Sequence, residues 1–282
     1  MTDQEPVTDQ EPVTAREFGR VERIGDTVRR PAMPWTPAVH GLLLYLEDIG
    51  YPHAPRVLGF DEHGREVLTW IEGESGPDGW GKVVDDRGLR FFARLLREYH
   101  DAVAGYRPPA ATLWSSTTAG PVGDEVVCHG DFGPWNTVWS GARPIGIIDW
   151  DHARPAARLH DVAYTLQYTA PFRDDAECLR WLRYPEPPDR CHRIEVFAAA
   201  YGLTDTRGLV DEVLRVQEAG IEVVRRLAER GDEPQATWVA EGHLDQLRAQ
   251  LAWSRENRHL AEAGGRRDPV RGGRTGAGPP AA

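Results

Sequence analysis

Apolar positions in the first quarter of the chain change period twice. Arg20 to Arg30, RVERIGDTVRR, alternates about Gly25-Asp26 and reads as two short strands joined by a tight turn. Thr36-Pro37 then offers a helix cap followed by proline at the first helical position. Val39, Leu42, Leu43 and Leu46 keep helical spacing until Gly50 and Pro52 stop the run. Strand patterns return at Pro55 to Phe60 and at Glu66 to Ile71. Strand pair, helix and strand pair together predict a small α+β lobe of about sixty residues.

Glu72 to Lys82, EGESGPDGWGK, is rich in glycine and acid and reads as a connector. A helical period resumes from Gly88 to Tyr106, with Leu89, Phe92, Leu95, Leu96 and Tyr99 on one face. Glu125 to Cys128 and Pro144 to Ile148 are short apolar runs that read as buried strands. Beyond Asp161 the pattern is helical. Val210, Val213, Ile221, Val224 and Leu227 fit one helix ended by Gly231, and Ala240, Leu244, Leu247 and Leu251 fit another. Trp181, Trp238 and Trp253 read as packing residues. The repeated TDQEPV at the start and the Gly-, Pro- and Arg-rich end have no buriable face and read as disordered tails, 1–16 and 263–282. An N-terminal lobe, 17–73, and a C-terminal lobe, 74–262, lie between them.

The chain has 282 residues, 40% of them hydrophobic, and ten Trp, enough for a packed core in two lobes. A net charge of −11 argues against a nucleic-acid partner and tolerates a cationic acceptor. No secretory leader and no apolar run of about 18 residues is present, so no membrane partner and a cytoplasmic location are expected. Cys128, Cys178 and Cys191 form no CxxC pair and are expected as reduced thiols. Lys82 is the only lysine, which constrains any chemistry that needs one.

Each of the two short strands ends in a polar cluster, HGDFGPWN at His129 to Asn136 and IDWDH at Ile148 to His152. A loop carrying Asp131 and Asn136, followed by a hairpin return to Asp149, can bring three oxygen-bearing side chains together at the ends of paired strands. Asn136 and Asp149 suit a hard divalent cation that also takes phosphate oxygens. Asp131 is then free to face a hydroxyl. That is the division of labour in phosphoryl transfer. Taken singly, each residue is an ordinary turn former.

HGDFGPWN together with IIDWD resembles the aminoglycoside phosphotransferase and choline kinase family, small-molecule relatives of the protein kinases. The resemblance runs from Arg20 to about Leu260. It implies an α+β, protein-kinase-like two-lobe fold, with a small strand-rich N-lobe and a larger, mostly helical C-lobe. It also implies ATP and Mg²⁺ as cofactors, Asp131 as catalytic base, and Asn136 and Asp149 as metal ligands. His129 and Asp161 would support the catalytic loop, and Asp151 and His152 would stand behind it. Thr69, Trp70, Ile71 and Glu72 would form the hinge that meets adenine. Two departures stand out. Arg29 occupies the place of the family's phosphate-binding lysine, and the helix that should offer its carboxylate partner has Val39 or His40 instead. No glycine-rich GxGxxG precedes Arg20, where Gly19 stands alone. The function implied is phosphoryl transfer from ATP to a hydroxyl of a small molecule. The alternatives are a catalytically weak, regulatory nucleotide-binding pseudokinase and a metal-dependent phosphate hydrolase.

Overall fold

The computed structural model describes residues 21–115 and 125–262. The tails expected at 1–16 and 263–282, and Gly19, lie outside the described residues. Strands β1 (Glu22–Ile24) and β2 (Thr27–Pro31) meet at a turn in which Gly25 takes φ +59°, a conformation open to glycine at little cost. Helix α1 (Thr36–Asp48) follows, then β3 (Val57–Phe60) and β4 (Arg65–Thr69). The four strands form one antiparallel sheet in the order β1-β2-β4-β3. Its register sets Arg30 opposite Glu66 and Arg29 opposite Val67.

The start of α1 differs by one residue from the sequence pattern. Trp35 is the cap and Thr36 the first helical residue, because the Thr36 hydroxyl accepts from the Met33 N–H at 2.8 Å. Val39, Leu42, Leu43 and Leu46 are buried as the spacing requires.

The connector is not featureless. Past a 3₁₀ turn at Gly76–Asp78 it forms a one-turn helix, α2 (Gly79–Lys82). The C-lobe then runs through α3 (Asp86–Ala102), β5 (Glu125–Cys128), β6 (Thr137–Ser140), β7 (Arg143–Ile147), β8 (Arg154–Ala157) and α4 (Arg158–Thr169). Helices α5 (Asp175–Trp181), α6 (Arg190–Tyr201), α7 (Leu209–Glu229), α8 (Gln235–Ala240) and α9 (His243–Glu256) complete it. The two polar clusters do not follow strands paired with each other: β5 pairs with β8, and β6 with β7. The helix expected from Ala240 to Leu251 breaks at Gly242, φ +91°, into α8 and α9.

One apolar core spans both lobes, joining Leu42 and Leu46 of α1 to Leu89, Phe92 and Tyr99 of α3 and to Phe132, Trp139 and Trp150 around the polar clusters. Burying such side chains is worth roughly 1.5–3 kcal/mol each. It therefore holds the two clusters against α3. The three cysteines are buried and form no disulfide among the described residues. Among the described residues no helix is long and apolar enough to cross a membrane.

Candidate active site

The loop after β5 is clamped from behind. Asp161, buried in the first turn of α4, accepts from the N–H of His129 at 2.7 Å and of Gly130 at 2.9 Å. Its Oδ2 also meets His100 Nε2 at 3.2 Å, and His100 Nδ1 meets the Tyr201 hydroxyl at 2.7 Å. Burial alone would raise this carboxyl. The hydrogen bond from His100 and the electrostatic influence of the His100, His160 and His129 imidazoles outweigh burial and hold it well below the usual aspartate range. His100, Cys128 and Asp161 have metal-like spacing, but these bonds already engage the carboxylate.

Gly130 has no alternative at its position. With φ +80°, an added Cβ would lie 2.1 Å from the His152 carbonyl oxygen. His129 ties the clusters together: Nε2 lies 3.0 Å from the Ile148 carbonyl, so this nitrogen carries the proton. Nδ1 then accepts from the Asp131 N–H at 3.3 Å. Burial lowers the imidazole pKa, in keeping with a neutral bracing group. The Ile148 N–H donates to the Asn136 carbonyl at 2.9 Å, fastening the second segment to the first.

Asp131 stands at the centre. Its Oδ2 accepts from Asn136 Nδ2 at 2.7 Å, and its Oδ1 accepts a short hydrogen bond from the Tyr164 hydroxyl on α4. Burial pushes the carboxyl up, nearby Asp149 adds to this, and His152 and Tyr164 pull it back in part. Asn136 Nδ2 also donates to the Asp131 carbonyl at 3.0 Å. Its amide nitrogen is thereby engaged and Oδ1 is the atom left for a cation. Asp149 has φ +62°, rare for a residue with a side chain, and its carboxylate is partly open. An amide oxygen and a carboxylate are a donor set that fits Mg²⁺.

Among the described residues, the N-lobe arginine that reaches the second polar cluster is Arg30. Because neighbours on a strand face opposite ways, Arg29 turns to Asp61, 3.5 Å away, and does not join Asp149. Arg30 Nε pairs with Glu66 at 2.5 Å, and Nη1 lies 3.3 Å from Asp149. Nη1 and Nη2 each meet Asp151 at 3.1 Å in a bidentate fork. Asp151 also accepts from the Trp35 indole at 3.1 Å. Glu66 is 1% exposed and its other oxygen meets His40 Nε2 at 3.0 Å. A strand glutamate and a helix histidine thus stand where the helix carboxylate was expected. At the hinge, the Thr69 N–H donates to the Arg56 carbonyl at 3.0 Å and the Trp70 N–H to the Asp26 carbonyl at 2.8 Å. Glu72 accepts from the Trp70 indole at 2.9 Å and pairs with Arg23 at 2.8 Å. The Ile71 side chain packs over Gly146 of β7.

Residues 106–189, which hold the whole loop from β5 to α4, match the sequence profile of the phosphotransferase enzyme family. The trifolitoxin immunity protein of Rhizobium leguminosarum bv. trifolii is 34% identical over 201 residues, 69% of this chain and 75% of that protein. The chain belongs to the phosphotransferase enzyme family. Its fold is that of solved aminoglycoside phosphotransferases. The GDP complex of aminoglycoside 2'-phosphotransferase-IIIa matches with a TM-score of 0.55 at 15% identity, over 89% of this chain and 94% of that one. The gentamicin complex of APH(2")-IIa matches with a TM-score of 0.51 at 11% identity, over 83% and 90%.

For this phosphotransferase-family chain the sequence pattern placed Arg30 only second to Arg29 and left Glu66 and Tyr164 without roles. A glutamate inside an otherwise apolar strand pattern was the available signal for Glu66, since a buried carboxylate requires a partner. Trp80 and Trp135 also border the site. Trp80 stands between two glycines in GWGK, and Trp135 follows Gly133-Pro134 in GPWN, and neither pattern marks a packing role.

Proposed function

We propose that this chain is an ATP- and Mg²⁺-dependent kinase that moves the γ-phosphoryl group to a hydroxyl of a small molecule. The observation that carries this reading is the setting of Asp131. Its carboxylate is oriented by Asn136 and Tyr164, on a loop clamped by Asp161, beside Asp149. Asn136 Oδ1 and Asp149 would hold Mg²⁺, which when bound neutralises phosphate charge. Arg30 would contact the phosphates, having two guanidinium nitrogens directed at Asp149 and Asp151. The hinge backbone at Thr69 to Glu72 would receive the base.

In this scheme the acceptor hydroxyl hydrogen-bonds to a free lone pair of Asp131, which orients it and takes its proton. Each carboxylate oxygen has two acceptor positions, so the Tyr164 and Asn136 bonds leave room for it. The raised proton affinity of Asp131 suits a base. Rate then comes from positioning and charge neutralisation. The relative is named for immunity to trifolitoxin, which supports a toxic compound as the acceptor.

One observation favours the regulatory reading. Arg30 is already neutralised by Glu66, Asp149 and Asp151, so a nucleotide must compete for it. ATP consumption measured against a panel of amino-sugars, amino alcohols and aryl alcohols separates the two. Asp131→Asn should bind Mg·ATP like the parent and lose turnover about a hundred- to ten-thousandfold. Turnover equal to the parent's would sink the kinase reading.

A further inference from the structure

The ground beside Asp131 is aromatic, and the backbone is built to make it so. Trp135 follows the catalytic loop at its outer end, and its ring folds back over Gly133. A Cβ on Gly133 would lie 2.3 Å from that ring. Gly79 brings α2 against the same loop, where a Cβ would lie 1.9 Å from the Pro134 carbonyl oxygen. That contact sets Trp80 on Trp135, with ring centroids 4.7 Å apart. Tyr168 of α4 closes the group, 4.8 Å from Trp135 and 5.8 Å from Trp80. Tyr164 lies 5.5 Å from Tyr168 and bonds Asp131 directly. All four rings are partly exposed. They form a continuous wall that ends at the carboxylate.

The charges around the wall are already matched. On the segments that carry these rings, Glu72 pairs with Arg23, Glu74 with Lys82 and Asp78 with Arg183. Asp161 is consumed by the loop N–H groups, and the Arg173 guanidinium lies 5.5 Å over the Tyr168 ring. Among the described residues of those segments, Asp131 is the one carboxylate that pairs with no cationic side chain and is bound to no backbone N–H clamp. A molecule with several ammonium groups needs several carboxylates. A flat uncharged face needs only rings.

We infer that the acceptor of this chain is an alcohol with a planar, uncharged aromatic face, stacked on Trp135 and Trp80 so that its hydroxyl reaches Asp131. The assignment rests on the kinase reading for the role of Asp131 and differs from the polycationic aminoglycosides named for the structural relatives. Trp135 and Trp80 are then specificity-determining residues, and Gly133 and Gly79 position them. Tyr164 marks the end at which the hydroxyl enters.

The test uses the full chain saturated with Mg²⁺ and a non-hydrolysable ATP analogue. Indole-3-ethanol and tyrosol are titrated by ligand-observed NMR, with kanamycin as competitor. Both aryl alcohols should bind, kanamycin should not displace them, and Trp135→Ala should weaken both about tenfold, the scale of one aromatic stack. Trp135→Phe should recover most of the affinity. Gly133→Ala, which keeps the tryptophan but displaces its ring, should lose it again. The analogue's own affinity should stay unchanged in Trp135→Ala, and every titration is run well below the variant's own melting temperature, which should fall with the loss of the ring contacts. Absence of binding, equal binding by Trp135→Ala, or displacement by kanamycin overturns the assignment. Failure of the kinase reading looks different: the aryl alcohols bind as described, yet ATP transfers no phosphate to them.

Discussion

Removing the Arg30 guanidinium tests the junction between the lobes. Arg30→Met deletes the bonds to Glu66, Asp149 and Asp151 and leaves Glu66, 1% exposed, with a buried charge and one remaining partner, His40. Breaking a buried ion pair from one side costs about 3–5 kcal/mol. The retained His40 bond and the partial exposure of Asp149 and Asp151 put this case at about 3 kcal/mol, the low end of that range. For a chain of this size the melting temperature should fall by about 6–12 °C, at about 2–4 °C per kcal/mol. Most of that loss belongs to the stranded glutamate. Arg30→Met combined with Glu66→Gln should therefore recover at least half of it, which a double-mutant cycle by urea denaturation reads as coupling. Arg30→Lys keeps a charge for Glu66 but cannot fork onto Asp151, and should fall between. If Arg30→Met melts within about 2 °C of the parent and the cycle shows less than about 0.5 kcal/mol of coupling, Arg30 is not the latch described.

The acid limb of turnover should lie above the ordinary aspartate range near 3.9, because burial makes Asp131 hold its proton to higher pH. Tyr164→Phe removes a bond that favours the carboxylate, so the limb should move further up; a shift downward contradicts the geometry. Asp161 has the opposite sign: its folded pKa is depressed, so its contribution is complete above the unfolded value and drains as pH falls through the folded one. Asp161→Asn should be destabilised at neutral pH, and its stability should vary less than the parent's below about pH 4, as followed by urea midpoints. Gly130→Ala, forced to φ +80° with its Cβ against the His152 carbonyl, should cost at least about 2 kcal/mol by the same assay.

The lobes and most helices were legible because period and punctuation agree: Thr36-Pro37, Gly50 and Gly231 bound runs whose apolar faces are continuous. Asp131, Asn136 and Asp149 stood out by their spacing, and His129 and Asp161 only through the family resemblance; the fold brings the five side chains together. Arg29 and Arg30 were not separable on the same grounds. Alternation says that two neighbours face apart, but which of them faces the cleft depends on the register with β4, and pairing with Glu66 settles that. Trp80 was hidden for a different reason. The glycines around it looked like linker composition, whereas Gly79 is small because a carbonyl of another segment presses on its Cα. Sequence pattern records a missing side chain, and only the packed neighbour tells whether freedom or closeness required it.

The connector's attachment has a mechanical consequence. Glu74 exchanges backbone hydrogen bonds with Trp139, and α2 lies on the Pro134 carbonyl, so everything from Glu74 onward travels with the large lobe. Trp70 is held from the other side by Asp26. Between them Ile71 packs on Gly146, and a Cβ on Gly73 would lie 2.6 Å from Val138 and 2.7 Å from the Trp139 carbonyl oxygen, so the crossover is pressed onto β6 and β7 and leaves little room for a swivel. Arg30 bridges the same two lobes at the far end of this short strap. Any separation of β2 from the turn that carries Asp151 would have to break this fork, so the ion pair acts as a clasp between the two segments.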